Sequence, residues 1–450
     1  RQLRRRSLAR LRREVEAVDG AALARFAIDW HGIGARRRGP DALLDVIEQL
    51  QGMPLAASIL ETEILGARLQ RYEPEWLDTL AAAGEVRWAG VQPLGQRDGR
   101  IALYLADQMS MLLPPRTGDD EPDEREAAIL SWLASQGASF FGPLHEAVGG
   151  GFPGDTLDAL WRLVWRGLVT NDTFGALRAF TARPDRRRAR SGAARPAFRS
   201  RRQIPPAAEG RWSLVRTPAA PATSSTGRIA AVARQLLARH GVLTREALAT
   251  EGIAGGFSAI YPALQAMDEA GRVRRGYFVA GLGATQFALP GALELLRSLR
   301  DESTEPRGVV LSATDPANPY GTTLAWPVPD LARIVGASVV IVDGWMAAYV
   351  ARGDREIVVS LPADEPARSR VARAAAAALF AFARGDYGVP RPTVITRIDD
   401  RPAGEHPFAA FLEAAGFVRT GHGLHIHRTG RAPEAEHDET VDAPGERPPA

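Results

Sequence analysis

Three stretches of the chain repeat one pattern of apolar and polar positions: an amphipathic helix, a glycine just past its end, then a β-branched run. The first covers 74–86, with Leu77 and Leu80 on one face and Gly84 ahead of Val86. The second covers 155–169, with Gly167 ahead of Leu168 and Val169. The third covers 258–273, with Ile260, Leu264 and Met267 on one face and Gly271 ahead of Val273. Pro74 suits a first helical turn, Asp155 and Ser258 suit N-caps, and the three glycines suit the left-handed position after a helix. Val86–Trp88 and Ile101–Leu105 then flank a turn at Asp98-Gly99, and Tyr277–Val279 precede Gln286–Leu289. Helix, tight turn and hairpin make the second half of a winged helix, and helices over 228–240 and 244–250 complete the third copy. The middle copy loses its pattern after Asn171-Asp172.

The last ordered region differs. A short strand over 309–313 leads into turn formers at 315–321. Strands over 338–342 and 345–350 flank Asp343-Gly344, a strong hairpin signal. A strand over 356–361, a helix over 367–383 started by Pro366, and a strand–helix–strand run over 393–398, 408–415 and 424–428 follow. The pattern predicts an α+β chain: tandem winged-helix domains, then a β-barrel-like or curved-sheet C-terminal domain carrying helices. The expected divisions are winged helices at 1–115, 120–180 and 211–300, an Arg/Pro-rich linker or loop at 181–210, a C-terminal domain at 306–429 and an acidic tail at 430–450.

Composition narrows the chemistry. A chain of 450 residues with 45% hydrophobic content supports about three or four compact units. It has no cysteine, which excludes disulfides, thiolate nucleophiles and Cys-based metal sites. No stretch is long and apolar enough to span a membrane, and no secretory leader is visible. The first residue is not Met, which suggests a fragment of a longer, cytoplasmic and nucleoid-associated bacterial protein. All 56 basic residues are arginine, planar forks suited to phosphates and base edges. The net charge is only +3, so a nucleic-acid surface has to come from local clusters.

Long strings along the chain resemble the C-terminal region of the Lhr (large helicase-related) family. They include Arg4–Leu8, Ile47–Gly52, Leu168–Asp172, Gly276–Val279, Gly281–Gly283, Gln286–Pro290 and Ala313–Gly321. The resemblance implies a winged-helix array plus a β-barrel used for DNA engagement and assembly. Its expected partners are single-stranded or damaged DNA, the ATP-dependent helicase core of the same full-length protein and further copies of itself. Such a core needs a Gly-rich phosphate loop ending in Gly-Lys-Ser/Thr. Without lysine this chain has none, so neither ATP hydrolysis nor unwinding is expected of it alone, and no cofactor is expected. Residues 20–113 are also similar to AlkZ-like winged-helix DNA glycosylases, whose Gln-x-Gln or Gln-x-Asp pair falls near Gln49-Leu50-Gln51. The Lhr resemblance further implies uracil removal from DNA, with a carboxylate taking part.

Cleaving an N-glycosidic bond builds positive charge on the sugar, which a carboxylate stabilises while activating water. The base must first leave the stack. Asp399, Asp400 and Asp315 are the candidate carboxylates, although all three also suit turns. Gln49 and Gln51 can hold a water or read a base edge, but two residues apart on a helix they diverge. His406, His422, His425 and His427 lack the spacing and partners of a metal site, so no metal is expected. Arg36, Arg37 and Arg38, and Arg272, Arg274 and Arg275, are the candidate DNA contacts, with the tract from Arg183 to Arg202. Tyr277, with Trp30 and Phe278, could stack on unpaired bases or belong to the core. Two readings stay open: a DNA-binding module with uracil-DNA glycosylase activity, and a non-catalytic DNA-binding and oligomerisation platform. A transcription regulator fits less well, because Asp78, Asp268 and Glu269 make the reading helices acidic.

Overall fold

A computed structural model describes residues 16–35, 37–115, 121–182, 204–216, 225–385 and 393–426. In the first module, α1 (Gly20–Trp30) is started by Asp19, whose side chain accepts from Ala22 N at 2.8 Å. Helix α2 (Gly39–Leu50) buries Leu43, Val46, Ile47 and Leu50, an i, i+3, i+4, i+7 stripe. Strand β1 (Leu55–Ala56), helix α3 (Pro74–Ala82) and the hairpin β2 (Val86–Pro93) and β3 (Gly99–Leu105) complete it. The sheet order is β1-β3-β2.

The second module has α4 (Glu124–Gln136), β4 (Ser139–Phe140), α5 (Phe141–Ala147), α6 (Pro153–Trp165), β5 (Val169–Asn171) and α7 (Gly175–Thr181). Its sheet is closed by β6 (Arg211–Leu214), which pairs with both β4 and β5. Residues 211–214 therefore belong to the second winged helix, and the expected boundary at 211 is corrected. In the sequence the 181–210 stretch falls between β5 and β6, which pair with each other. Its arginines from 183 to 202 fall outside the described residues. Helix α6 starts at Pro153, two residues ahead of the expected cap at Asp155.

The third module runs α8 (Ser225–His240), β7 (Val242–Leu243), α9 (Gly256–Glu269), β8 (Arg274–Gly276) and β9 (Gln286–Ala288), ordered β7-β9-β8. Helix α9 begins at Gly256 after Gly255 (φ +78°), so Ser258 lies in the first turn rather than at the cap. Helix α10 (Pro290–Ser298) returns the chain to α1, and Val18 bridges Val279.

The C-terminal part contains β10 (Gly308–Ser312), β11 (Ser338–Val342), β12 (Trp345–Val350), β13 (Glu356–Val359), α11 (Ala367–Arg384), β14 (Val394–Ile395), β15 (Arg397–Ile398) and β16 (Arg401–Pro402). Helix α12 (Ala409–Ala415), β17 (Val418–Thr420) and β18 (Gly423–His425) follow. Six strands form one sheet in the order β10-β11-β12-β13-β15-β16. Among the described residues nothing joins β10 to β16, so the sheet is open and the expected barrel is not found. Strands β14-β18-β17 form a separate small sheet. No described helix is long and apolar enough to cross a membrane.

Candidate functional site

A cleft of about 680 Å³ lies between the first and third winged helices. Helix α2 supplies its chemistry. Asp45, Glu48 and Gln49 stand at i, i+3 and i+4, on the side away from the buried stripe, and all three line the cleft. Trp30 ends α1 on one wall, Arg37 leads into α2, Asp107 follows β3, and Arg234 projects from α8. Arg37, Asp45, Glu48, Asp107 and Arg234 are all exposed, and none forms an ion pair among the described residues.

Gln49 is oriented by one hydrogen bond, its Nε2 donating to the Trp30 carbonyl at 3.0 Å. Its amide oxygen has no donor among the described residues, which leaves an acceptor for water or for a base N–H. Trp30 is fixed in turn: its Nε1 donates to the Ala238 carbonyl at 3.0 Å, and its ring stacks on Phe26 at 5.6 Å.

Gln51 diverges, as helical geometry requires. It sits at the end of α2 with φ −47° and ψ 132°, and its side chain is fully buried. Its Oε1 accepts from Leu105 N at 3.0 Å, and its Nε2 donates to the Glu48 carbonyl at 3.3 Å and to Gln108 Oε1 at 3.1 Å. Gln51 therefore builds the cleft wall rather than facing the cleft. Behind it, Arg239 donates to the Gln51 carbonyl and to Glu251, which also meets His240 Nε2 at 2.6 Å. Burial alone would push the Glu251 carboxyl up; Arg239 and His240 outweigh it and hold the carboxyl down at about 2. Nearby His31 is fully enclosed, and burial, with Arg68 adding to it, lowers its pKa well below the usual histidine range.

The expected carboxylates lie elsewhere. Asp315 is sealed from solvent and bound by Arg68 through its two terminal guanidinium nitrogens, at 2.8 and 2.9 Å, with Arg68 equally sealed. Its Oδ1 also accepts from Ala317 N at 2.7 Å. With both oxygens engaged and no solvent, Asp315 is placed to hold the loop after β10 onto the first module rather than to meet a substrate. Asp399 and Asp400 form the two-residue turn between β15 and β16, both at positive φ (+47° and +61°), the signature of a type I′ hairpin. Asp399 accepts from Val359 N at 2.8 Å and lies 3.2 Å from His406 Nε2. Asp400 is almost fully exposed and pairs with Arg397 at 3.1 Å.

Among the arginines, Arg37 reaches the cleft and Arg38 is exposed at the start of α2. Arg36 lies outside the described residues, as does His427. Arg272, Arg274, Arg275 and Tyr277 are exposed on the wing of the third module and do not line the cleft. Arg275 lies 3.5 Å from Asp268, and Tyr277 Oη accepts from Gly281 N at 2.8 Å. No group of three or more His, Asp or Glu among the described residues could hold a metal ion. Sequence reasoning missed Asp45, Glu48, Asp107 and Arg234. The spacing of Asp45 and Glu48 about Gln49 was a usable signal, whereas Arg234 joins them only through the packing of α8.

Two family models, each described as "Large helicase-related protein, winged-helix domain", match residues 18–106 and 222–308. A Mycolicibacterium smegmatis protein named "Lhr helicase/ probable uracil glycosylase" is 42% identical over 451 residues, 94% of this chain. This chain carries Lhr winged-helix domains. The Escherichia coli "Lhr helicase/uracil glycosylase" is 33% identical over 469 residues, again 94% of this chain. This chain covers 29% and 30% of those two relatives, in their C-terminal part. Among solved structures, the Streptomyces sahachiroi DNA glycosylase AlkZ aligns over 84% of this chain and 100% of its own, at 15% identity and a TM-score of 0.49.

Proposed function

We propose that this chain binds DNA and excises uracil from it, with the α2 cleft as the reacting site. The observation that carries this reading is the gathering of Gln49, Trp30, Arg37, Arg234 and the free carboxylates of α2 around one cleft. A uracil turned out of its stack offers N3–H to the open Gln49 oxygen and a face to Trp30. Arg37 and Arg234 hold flanking phosphates. Asp45 and Glu48 supply negative charge beside the sugar and a base for water. Water adds its oxygen to C1′ and gives its proton to the carboxylate, and the C1′–N1 electron pair leaves with uracil as its anion. The relatives' names support the reaction class. Docking to a helicase core and self-association belong to the same reading.

The test is incubation of the purified chain with uracil-containing single-stranded DNA, without ATP, followed by alkaline cleavage at abasic sites. The expected result is strand breakage at uracil, reduced roughly 10²–10⁴-fold when the working base is neutralised in Asp45→Asn or Glu48→Gln. Loss in Asp399→Asn or Asp400→Asn, with both α2 variants active, would move the chemistry to the β15–β16 turn. Retained binding with no product would leave a DNA-binding platform.

A further inference from the structure

A second and larger cleft, of about 1010 Å³, opens where the first two winged helices meet the C-terminal sheet. We propose that it carries an unpaired nucleic-acid strand leading into the α2 cleft; the proposal rests on the DNA-binding reading above but not on excision.

Charge is the first reason. Arg71 and Arg307 line the cleft, are exposed, and make no ion pair or guanidinium hydrogen bond among the described residues. Glu61 is its single described carboxylate, and it is already neutralised. Arg178 donates to both Glu61 oxygens at 2.7 and 2.9 Å, and Tyr72 Oη donates to Oε1 at 2.6 Å. Arg178 also pairs with Asp78 at 2.7 Å, and Asp29 lies in the field of Arg307, so Arg71 and Arg307 are the lining cations without an ion pair among the described residues, the groups a phosphate chain requires.

Backbone shape is the second. Arg71 sits at φ +53°, a left-handed conformation that non-glycine residues seldom adopt and that concentrates at ligand clamps. Leu60, Glu61 and Thr62 of the lining belong to a π-helical turn, Leu60–Leu65, a distortion also frequent at functional sites.

Continuity is the third. Gly34 lines this cleft, and Arg37, three residues on, lines the α2 cleft. Gln70, beside Arg71, donates its N–H to the Arg37 carbonyl at 2.8 Å. Residues lining the two clefts are thus near neighbours in the chain and are tied by a backbone hydrogen bond. The volume lies at the upper end of the roughly 300–1,000 Å³ of small-ligand sites, room for a few nucleotides but not for a duplex.

The experiment is fluorescence anisotropy of a labelled oligo-dT 12-mer with the full chain across a range of NaCl concentrations. Removing two phosphate-binding cations in Arg71→Ala/Arg307→Ala should weaken binding and make the log K against log salt line shallower by about 1.4, at roughly 0.7 per phosphate on a single strand. Arg71→Lys/Arg307→Lys should keep the parental slope, which separates charge from folding. Binding of the matching duplex should change far less. An unchanged single-strand slope in the alanine pair, a lysine pair as shallow as the alanine pair, or an equal loss on duplex would each overturn the proposal. Excision is not read in this experiment, so its absence leaves the result intact.

Discussion

Glu251 is a buried carboxylate made tolerable by its neighbours, and this has a direct consequence for pH. Its folded pKa, about 2, lies below the ordinary value of 4.5, so the folded state binds the proton more weakly than the unfolded chain. The stability this carboxylate contributes is complete above about pH 4.5 and is lost as pH falls towards 2. Thermal melts between pH 6 and pH 2.5 should show the midpoint dropping below pH 4.5. Glu251→Gln should be less stable at pH 6 and show a flatter profile through that window; an equally steep profile in the variant would assign the acid sensitivity to other groups. At this scale the sequence was only half legible. Asp315 among turn formers reads as a turn residue, and its bond to Ala317 N agrees. Its second partner, Arg68, is 247 positions away and no local pattern announces it. Gln51 likewise reads as a polar residue beside Gln49, and only the packing of β3 and α8 turns it inward.

At the scale of elements, the hairpin of the first module packs on α6 through glycine. A Cβ on Gly90 would lie 2.0 Å from the Val164 carbonyl oxygen, and one on Gly99 would lie 2.3 Å from the Trp165 ring. At position 90 the obstacle is backbone, so no side-chain rotation relieves it. Gly90→Ala should therefore destabilise the chain by about 1–3 kcal/mol, as overpacking does, and lower the urea midpoint. A midpoint equal to the parent's would show that β2 can withdraw from α6 freely. Helices and hairpins with their own periodicity were legible in advance, including α8, α11 and the Asp343-Gly344 turn. The second winged helix was legible in its helix over 155–165 and the run after Gly167 but not in its closing strand, because its sheet is completed by β6, some forty positions beyond β5. Local pattern cannot reveal a strand whose partner lies across an arginine-rich insertion. The open six-stranded sheet was hidden for a related reason: its parallel β13–β15 pairing spans α11.

On the scale of the whole molecule, the apolar cores do not respect module boundaries. One core runs from Leu43 of α2 to Trp212 of β6 and unites the first two winged helices, with Trp88 stacked on Trp161. Helix α1 serves two others: Ala22, Leu23 and Phe26 pack with the third module, and Ala24 packs against the C-terminal sheet. Arg25 secures that junction, donating to the carbonyls of Leu299, Arg300 and Asp343, each at 2.8 Å. Elements joined this way should unfold together. Native-state hydrogen exchange should give the β2–β3 amides and the α11 amides a common opening free energy at low denaturant. Arg25→Met keeps the apolar stem but leaves three carbonyls without their donor, and should let the C-terminal sheet open ahead of the winged helices. If α11 already exchanges through a much cheaper opening in the unaltered chain, α1 does not couple the two halves. The clefts that depend on their alignment would then be transient rather than standing features.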